Sequence, residues 1–272
     1  MKTLLFSEVQ SNPKLILDLL YQNKVLVLKG KPLDETKYLE FTRKLGVPTP
    51  FVDSNYFHPD HKEIFVVSNQ IRNGKRFGMK RVGYYWHSDC SFLQEPLPIT
   101  SLHCHLTPNK GGQTGFIDMA QVWRELPEEM KSKLRGKTIT HDSSERYIVV
   151  ESDIGMSLKE IRERDLQLCA PVSQPAVYKH FYTNEEILYL NEGFSSRIQE
   201  LPQDESDHLL QEVFRRTVES PSRYLHQWEP GDIVLWDNRS VVHRAFPYEE
   251  GDRLMFRVGI RETKFFGDGN QL

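Results

Sequence analysis

The chain is expected to fold as a mostly β protein with inserted helices (α+β), an antiparallel sandwich or barrel rather than a doubly wound sheet. Three observations predict this. Short runs rich in β-branched and aromatic residues crowd the later part of the sequence. Helical patterns fall between them without a regular βαβ rhythm. No internal repeat, low-complexity tract or linker divides the 272 residues, so one domain spanning 1–272 is expected, with N-terminal helices and a helical insert around 119–170.

Residues 5–22 and 34–45 carry apolar spacing that predicts helices, and "KVLVLKG" at 24–30 between them reads as a buried strand ending at a glycine. Strands are predicted at "EIFVVS" (63–68), "ITSLHCHL" (99–106), "PAVYKH" (175–180) and "EILYLN" (186–191). Three more follow near the end, at "DIVLWDN" (232–238), "SVVHRAF" (240–246) and "RLMFRVGI" (253–260). Helices are predicted over 127–134, around 157–168 and over 204–219, the last opening on acids and closing on a basic turn.

Composition excludes several classes of protein. A net charge of -3 from 35 basic and 38 acidic residues, with no basic run, marks no nucleic-acid face. No apolar stretch approaches the roughly 20 residues that a membrane helix needs. "TLLF" near the start is followed at once by a glutamate, without the pattern of a signal peptide. Three scattered cysteines, Cys90, Cys104 and Cys169, with no CxxC, suit a reducing compartment, and a cytoplasmic location is expected.

The segment "YYWHSDCSF" (84–92) sets a histidine and an aspartate two apart among aromatics. In an extended strand, side chains two apart leave one face roughly 7 Å apart at their Cα atoms, so His87 and Asp89 share a space while Ser88 and Cys90 turn away. Such a pair can bind a divalent metal, relay a proton or merely share a hydrogen bond. His243, on the later strand "SVVHRAF", supplies a second imidazole and completes the minimum set of a facial triad of two histidines and one carboxylate. His103 and His105 in "SLHCHL" form a competing pair at the spacing of a cupin metal site, or simply line a solvent-facing strand.

Arg257 alternates with apolar residues in "RLMFRVGI", and a guanidinium facing a barrel interior needs an anion because burying it unpaired is costly. Thr114, on a strand entered through the glycines of "GGQTGF", offers a hydroxyl to the same anion. A surface ion pair and a turn residue are the plainer alternatives for these two.

In order and spacing, "WHSD", "GGQT", "WEPGDIVLWDNRSVVHRA" and "RLMFR" resemble the TauD/TfdA family of Fe(II)- and 2-oxoglutarate-dependent dioxygenases over most of the chain. The resemblance implies a double-stranded β-helix, or jelly roll, with His87, Asp89 and His243 as iron ligands. It further implies that Arg257 and Thr114 hold the distal carboxylate of 2-oxoglutarate, and that Arg253, on the same strand face by the period of two, matches a second basic position. Fe(II), 2-oxoglutarate and O2 are the implied cofactor and cosubstrates, a small molecule the implied substrate, and dimers or tetramers are common in such proteins.

Within the family, "YFHPDHKEIFVVSN", "GYYWHSDCSFLQEPLPIT", "FIDMAQVWRELP" and "TITHDSSERYI" look most like the branch that works in isonitrile biosynthesis. One arm of that branch forms the isonitrile from an N-carboxymethyl β-amino acid, which it meets with a tyrosine pair and a lysine. The other, paerucumarin-type arm desaturates a tyrosine-derived isonitrile, with or without decarboxylation. Phe51, Val52 and Val149 stand where the polar clamp would be, which suits an aromatic substrate better than a diacid. Tyr84, Tyr85 and Phe92 are expected to line the same pocket or to pack against the sheet. A taurine-like hydroxylation is the other alternative, although no sulfonate-binding set beyond Arg257 is evident.

Overall fold

A computed structural model describes residues 1–147, 149, 153–263, 265 and 266. Its frame is a seven-stranded sheet ordered Lys2–Leu5, Val25–Lys29, Ile233–Asp237, Ile99–Leu106, Leu254–Arg261 and Val47–Thr49, with Phe65–Ser68 pairing beside Val47–Thr49 along the same edge of Leu254–Arg261. All its ladders are antiparallel except the first, Lys2–Leu5 with Val25–Lys29. Facing it is a smaller antiparallel sheet of Tyr224–His226, Thr114–Asp118 and Val241–Ala245, extended by a bridge between His87 and His243. The two sheets form the jelly roll.

Strand alternation sorts the core into two layers. Leu26, Leu28, Ile233, Leu235, Phe256, Val258 and Ile260 leave the outer face of the large sheet and pack on the helices Pro13–Asn23 and Glu35–Leu45. Their neighbours Val25, Val27, Val234, Trp236, Leu102 and Met255 point inward, against Phe116 and Val241 of the small sheet. The inward set therefore includes Thr100, Arg253 and Arg257 by parity, whereas His103 and His105 fall on the helix side.

Local chemistry explains most element ends. Asn12 caps Leu15 N–H and Pro13 occupies the first turn, so the expected 5–22 helix is instead a strand, a short turn of helix at Phe6–Val9 and a new helix from Pro13. Asp34 caps Glu35–Leu45, and a capping box of Ser157 with Glu160 opens Leu158–Leu168. Glu128–Leu134 and Gln203–Glu219 lie where their patterns predict. The expected helical insert around 119–170 is only partly helical. Thr138–His141 inside it is a strand, paired on both sides by Val172–Pro175 and Ser195–Ile198. This third sheet, with Met119–Glu125 and Gln203–Glu219, encloses a separate apolar cluster around Trp123, Ile139, Tyr189 and Val213.

Candidate active site

His87 and His243 are held together by their own backbones, His87 N donating to His243 O at 3.0 Å and His243 N to His87 O at 2.8 Å. The two imidazole centroids are 4.1 Å apart. After His87 the chain leaves the extended form. Cys90 takes a left-handed conformation, φ 55°, so Asp89 lies in a turn rather than on a strand. That corrects the expectation for Cys90, which joins His87 and Asp89 in the lining of the cavity instead of turning away.

Asp89 Oδ1 lies 3.7 Å from His87 Nε2, and Oδ2 lies 3.7 Å from His243 Nε2. Among the described residues this is the one group of three histidine, cysteine or acidic side chains whose donor atoms converge, all within 4.8 Å. His87 Nδ1 donates to Tyr85 O at 2.9 Å, which fixes the tautomer that leaves the Nε2 lone pair facing Asp89. Burial lowers the pKa of His87, and it holds His243 well below the usual imidazole value, with the neighbouring His87 adding to the effect. Burial by itself raises the Asp89 carboxyl, but Arg257, then His243 and His87, outweigh it and the net shift is downward. Two neutral imidazoles and an ionised carboxylate, too far apart to hydrogen-bond one another, suit a divalent cation.

The three groups open on a cavity of ≈ 890 Å³, measured with its mouth. Thr114, Arg253, Arg257, Phe51, Tyr84, Tyr85 and Phe92 all line it. Val52 and Val149 do not. They are 40% and 72% exposed, which removes them from the expected apolar wall and leaves Phe51 as its one member there. His103 and His105 are turned to the helix layer. His103 is fully buried against Tyr38, its Nε2 accepts from Leu33 N at 3.3 Å, and His105 packs on Phe256. They are not a solvent-facing stripe, and the strand's period of two sends them away from the cavity that holds the His87, Asp89 and His243 group.

The two arginines meet different partners. Arg257 is engaged with Asp89: its Nε donates to Oδ2 at 3.3 Å, and its Nη2 lies 3.0 Å from Oδ1 without aiming an N–H along that line. Arg253 instead reaches the strand that carries Thr114. It is buried, and its Nη1 donates to Gly112 O at 2.7 Å. Gly112 has φ 72°, and a Cβ there would lie 2.7 Å from that nitrogen, so the "GGQT" glycine is needed for both reasons. Thr114 Oγ1 accepts from Trp228 Nε1 at 3.0 Å, leaving its own proton for the cavity.

Sequence reasoning missed Phe194, Trp236, Cys90 and Lys80, which also line the cavity. Phe194 packs edge-on to Phe92, Tyr85 and His87 at 4.8, 5.8 and 6.0 Å. It arrives on a loop outside the two main sheets, and no local pattern marks it. Alternation along "DIVLWDN" points Trp236 inward, so that residue was within reach of sequence reasoning.

A jelly roll holding two histidines and a carboxylate beside buried arginines defines the non-haem Fe(II)- and 2-oxoglutarate-dependent oxygenase class. The chain belongs to the taurine catabolism dioxygenase TauD, TfdA family, which matches residues 5–258. It is similar to the α-ketoglutarate-dependent 2,4-dichlorophenoxyacetate dioxygenase of Cupriavidus pinatubonensis, 30% identical over 250 residues covering 88% of this chain and 84% of that one. Pentalenolactone F synthase of Streptomyces avermitilis is 29% identical over 254 residues, 87% of this chain and 80% of that protein. Among solved structures, a taurine dioxygenase from Burkholderia xenovorans superposes with a TM-score of 0.75 at 21% identity, covering 96% of this chain and 84% of that one. The protein is an oxidoreductase of this class, using Fe(II) and 2-oxoglutarate with O2. Among the described residues no helix is long and apolar enough to cross a membrane.

Proposed function

We propose that the chain works as one dioxygenase domain that holds Fe(II) on His87, Asp89 and His243 and oxidises a small aromatic acid, a tyrosine-derived isonitrile, by desaturation with or without decarboxylation. The observation that carries the aromatic substrate is the wall of Phe51, Tyr85, Phe92 and Phe194, whose rings converge beside His87. Aryl rings gain from such edge-to-face partners, whereas a second carboxylate would lack paired donors there.

The bound metal, with 2-oxoglutarate and O2, supplies the oxidant that removes hydrogen from the substrate. The chain's own residues do the placing. Arg257 stands against Asp89, one of the residues that would hold the metal, so we assign the far carboxylate of 2-oxoglutarate, two methylenes beyond its keto carbon, to Arg253 and Thr114. The aromatic wall fixes which C–H bond faces the ligands and excludes water from it.

A second reading is hydroxylation of an aryloxy acid, favoured by the 30% identity to the dichlorophenoxyacetate enzyme. Incubating iron-loaded protein and 2-oxoglutarate with tyrosine isonitrile, an N-carboxymethyl β-amino acid, 2,4-dichlorophenoxyacetate or taurine separates these readings. Succinate release coupled to loss of two hydrogens, or of two hydrogens and carbon dioxide, from the isonitrile supports the proposal. Coupled turnover of the β-amino acid or taurine alone overturns the aromatic substrate, and turnover of the aryloxy acid alone supports the second reading.

A further inference from the structure

We infer that Trp236, Asn238 and Thr100 form a directional hydrogen-bond relay whose task is to fix the Asp89 carboxylate, making them positioning residues for the metal centre. This rests on the reading of Asp89 as a ligand. Asp89 sits in a turn, where the backbone restrains it less than a strand would, and rotation about its terminal bond is soft. Thr100 lies on the central strand Ile99–Leu106, is fully buried and donates from its hydroxyl to Asp89 Oδ2 at 2.7 Å.

The polarity of the chain is set at its far end. Trp236 Nε1 is a donor only, so the Asn238 atom that meets it at 2.8 Å must be the amide oxygen. The Asn238 amide nitrogen then faces Thr100 Oγ1, to which it donates at 2.8 Å. With an N–H arriving on its oxygen, the Thr100 hydroxyl turns its own proton to Asp89. Asp89 N completes the loop by donating to Asn238 Oδ1 at 3.4 Å, and Ser88 Oγ donates to Asn238 O at 2.7 Å. The Trp236 ring also packs on His243 with centroids 4.7 Å apart, so one indole seats one histidine and orients the carboxylate opposite. Trp236 and Thr100 are cross-strand partners in the large sheet, which makes the spacing of the relay a property of strand register.

The test is Mn(II) titration of metal-free protein followed by electron paramagnetic resonance, with thermal unfolding of each metal-free variant alongside. Thr100→Val is expected to weaken Mn(II) binding ten- to hundredfold, the range for lost outer partners of a metal ligand. Thr100→Ser restores the hydroxyl and should recover affinity. Trp236→Phe removes the indole donor while keeping an aromatic ring at that position beside His243, and should give an intermediate, severalfold loss. Thr42→Val, which deletes an equally buried hydroxyl bonded to Leu39 O on the helix Glu35–Leu45, outside the large sheet, should leave affinity unchanged. His243→Ala reports on the site itself. Its loss of Mn(II) together with wild-type affinity in folded Thr100→Val overturns the relay alone, and retention of Mn(II) by His243→Ala overturns site and relay together. If Thr100→Val does not fold, wild-type affinity in Trp236→Phe is the result that sinks the inference.

Discussion

Two arginines four residues apart on one strand face the same cavity yet meet different partners, because the strand runs past Asp89 at one point and past Gly112 at the other. Removing Arg253 should therefore weaken 2-oxoglutarate binding on the order of 10- to 100-fold, the scale of a charge-assisted pair. The anaerobic charge-transfer band of the iron–keto acid complex measures it, with Arg253→Lys as an intermediate. Thr114→Val should raise the 2-oxoglutarate KM only a few fold, since a neutral hydrogen bond is worth about 1 kcal/mol. A band undiminished in Arg253→Ala but lost in Arg257→Ala would return the distal carboxylate to Arg257. The histidines offer a second check at this scale. His103→Ala should leave metal binding intact while lowering stability by about 1–3 kcal/mol, because it opens a void beside Tyr38 and orphans Leu33 N–H. Metal loss in His103→Ala would revive the competing pair.

The turn Asp237–Ser240 is the element that delivers His243, and it is anchored by charge inside the protein. Arg239 is 1% exposed and donates to Asp237, Glu262, Thr263 and Phe265 O, while Asp237 also meets His180 at 2.8 Å. Breaking such a pair by removing one partner leaves buried charge uncompensated. Arg239→Ala should cost about 3–5 kcal/mol in urea unfolding, and a smaller loss would mean that water enters the site. "WDNR" is visible in the sequence, but nothing in it names the partners of Arg239. The partners Glu262 and His180 lie far along the chain, and only folding brings them to it. The 84–92 segment shows the reverse error. Its H-x-D spacing is legible as a shared face, yet the two side chains converge through a bridge at His87 followed by a turn, because Cys90 adopts a left-handed conformation that no strand pattern contains.

Across the whole molecule, burial of neutral histidines predicts how stability depends on pH. Burial pushes His103 and His141 down to about 3. An unfolded histidine takes up its proton near 6.5, so below that value the unfolded state binds more protons and the folded state loses ground until about pH 3. Each such group steepens the loss by up to ~1.4 kcal/mol per pH unit. Burial alone raises Asp237, but Arg239 and His180 outweigh it and bring it to about 2. Its contribution, on the order of 2 kcal/mol, is present above about pH 4 and disappears as pH falls toward 2. Denaturant unfolding between pH 7 and 3 should thus show stability falling from about pH 6.5 downward. A profile flat to pH 4 would mean that these rings reach solvent.

What the sequence by itself determined was the periodic and the local: the longer strands of the two sheets, the helices Glu35–Leu45 and Gln203–Glu219, the two histidines and aspartate in order, and the glycine ahead of Thr114. Alternation along a strand is a one-dimensional signal, so it assigns a residue to a face without naming what stands opposite. Tertiary structure alone decided the partners. It put Arg257 on Asp89 and Arg253 beside Gly112, sent Val52 and Val149 to the surface, and brought Phe194 in from a distant loop. Those outcomes depend on how separate segments pack across the cavity, and close packing of the whole chain sets that geometry where no local pattern records it.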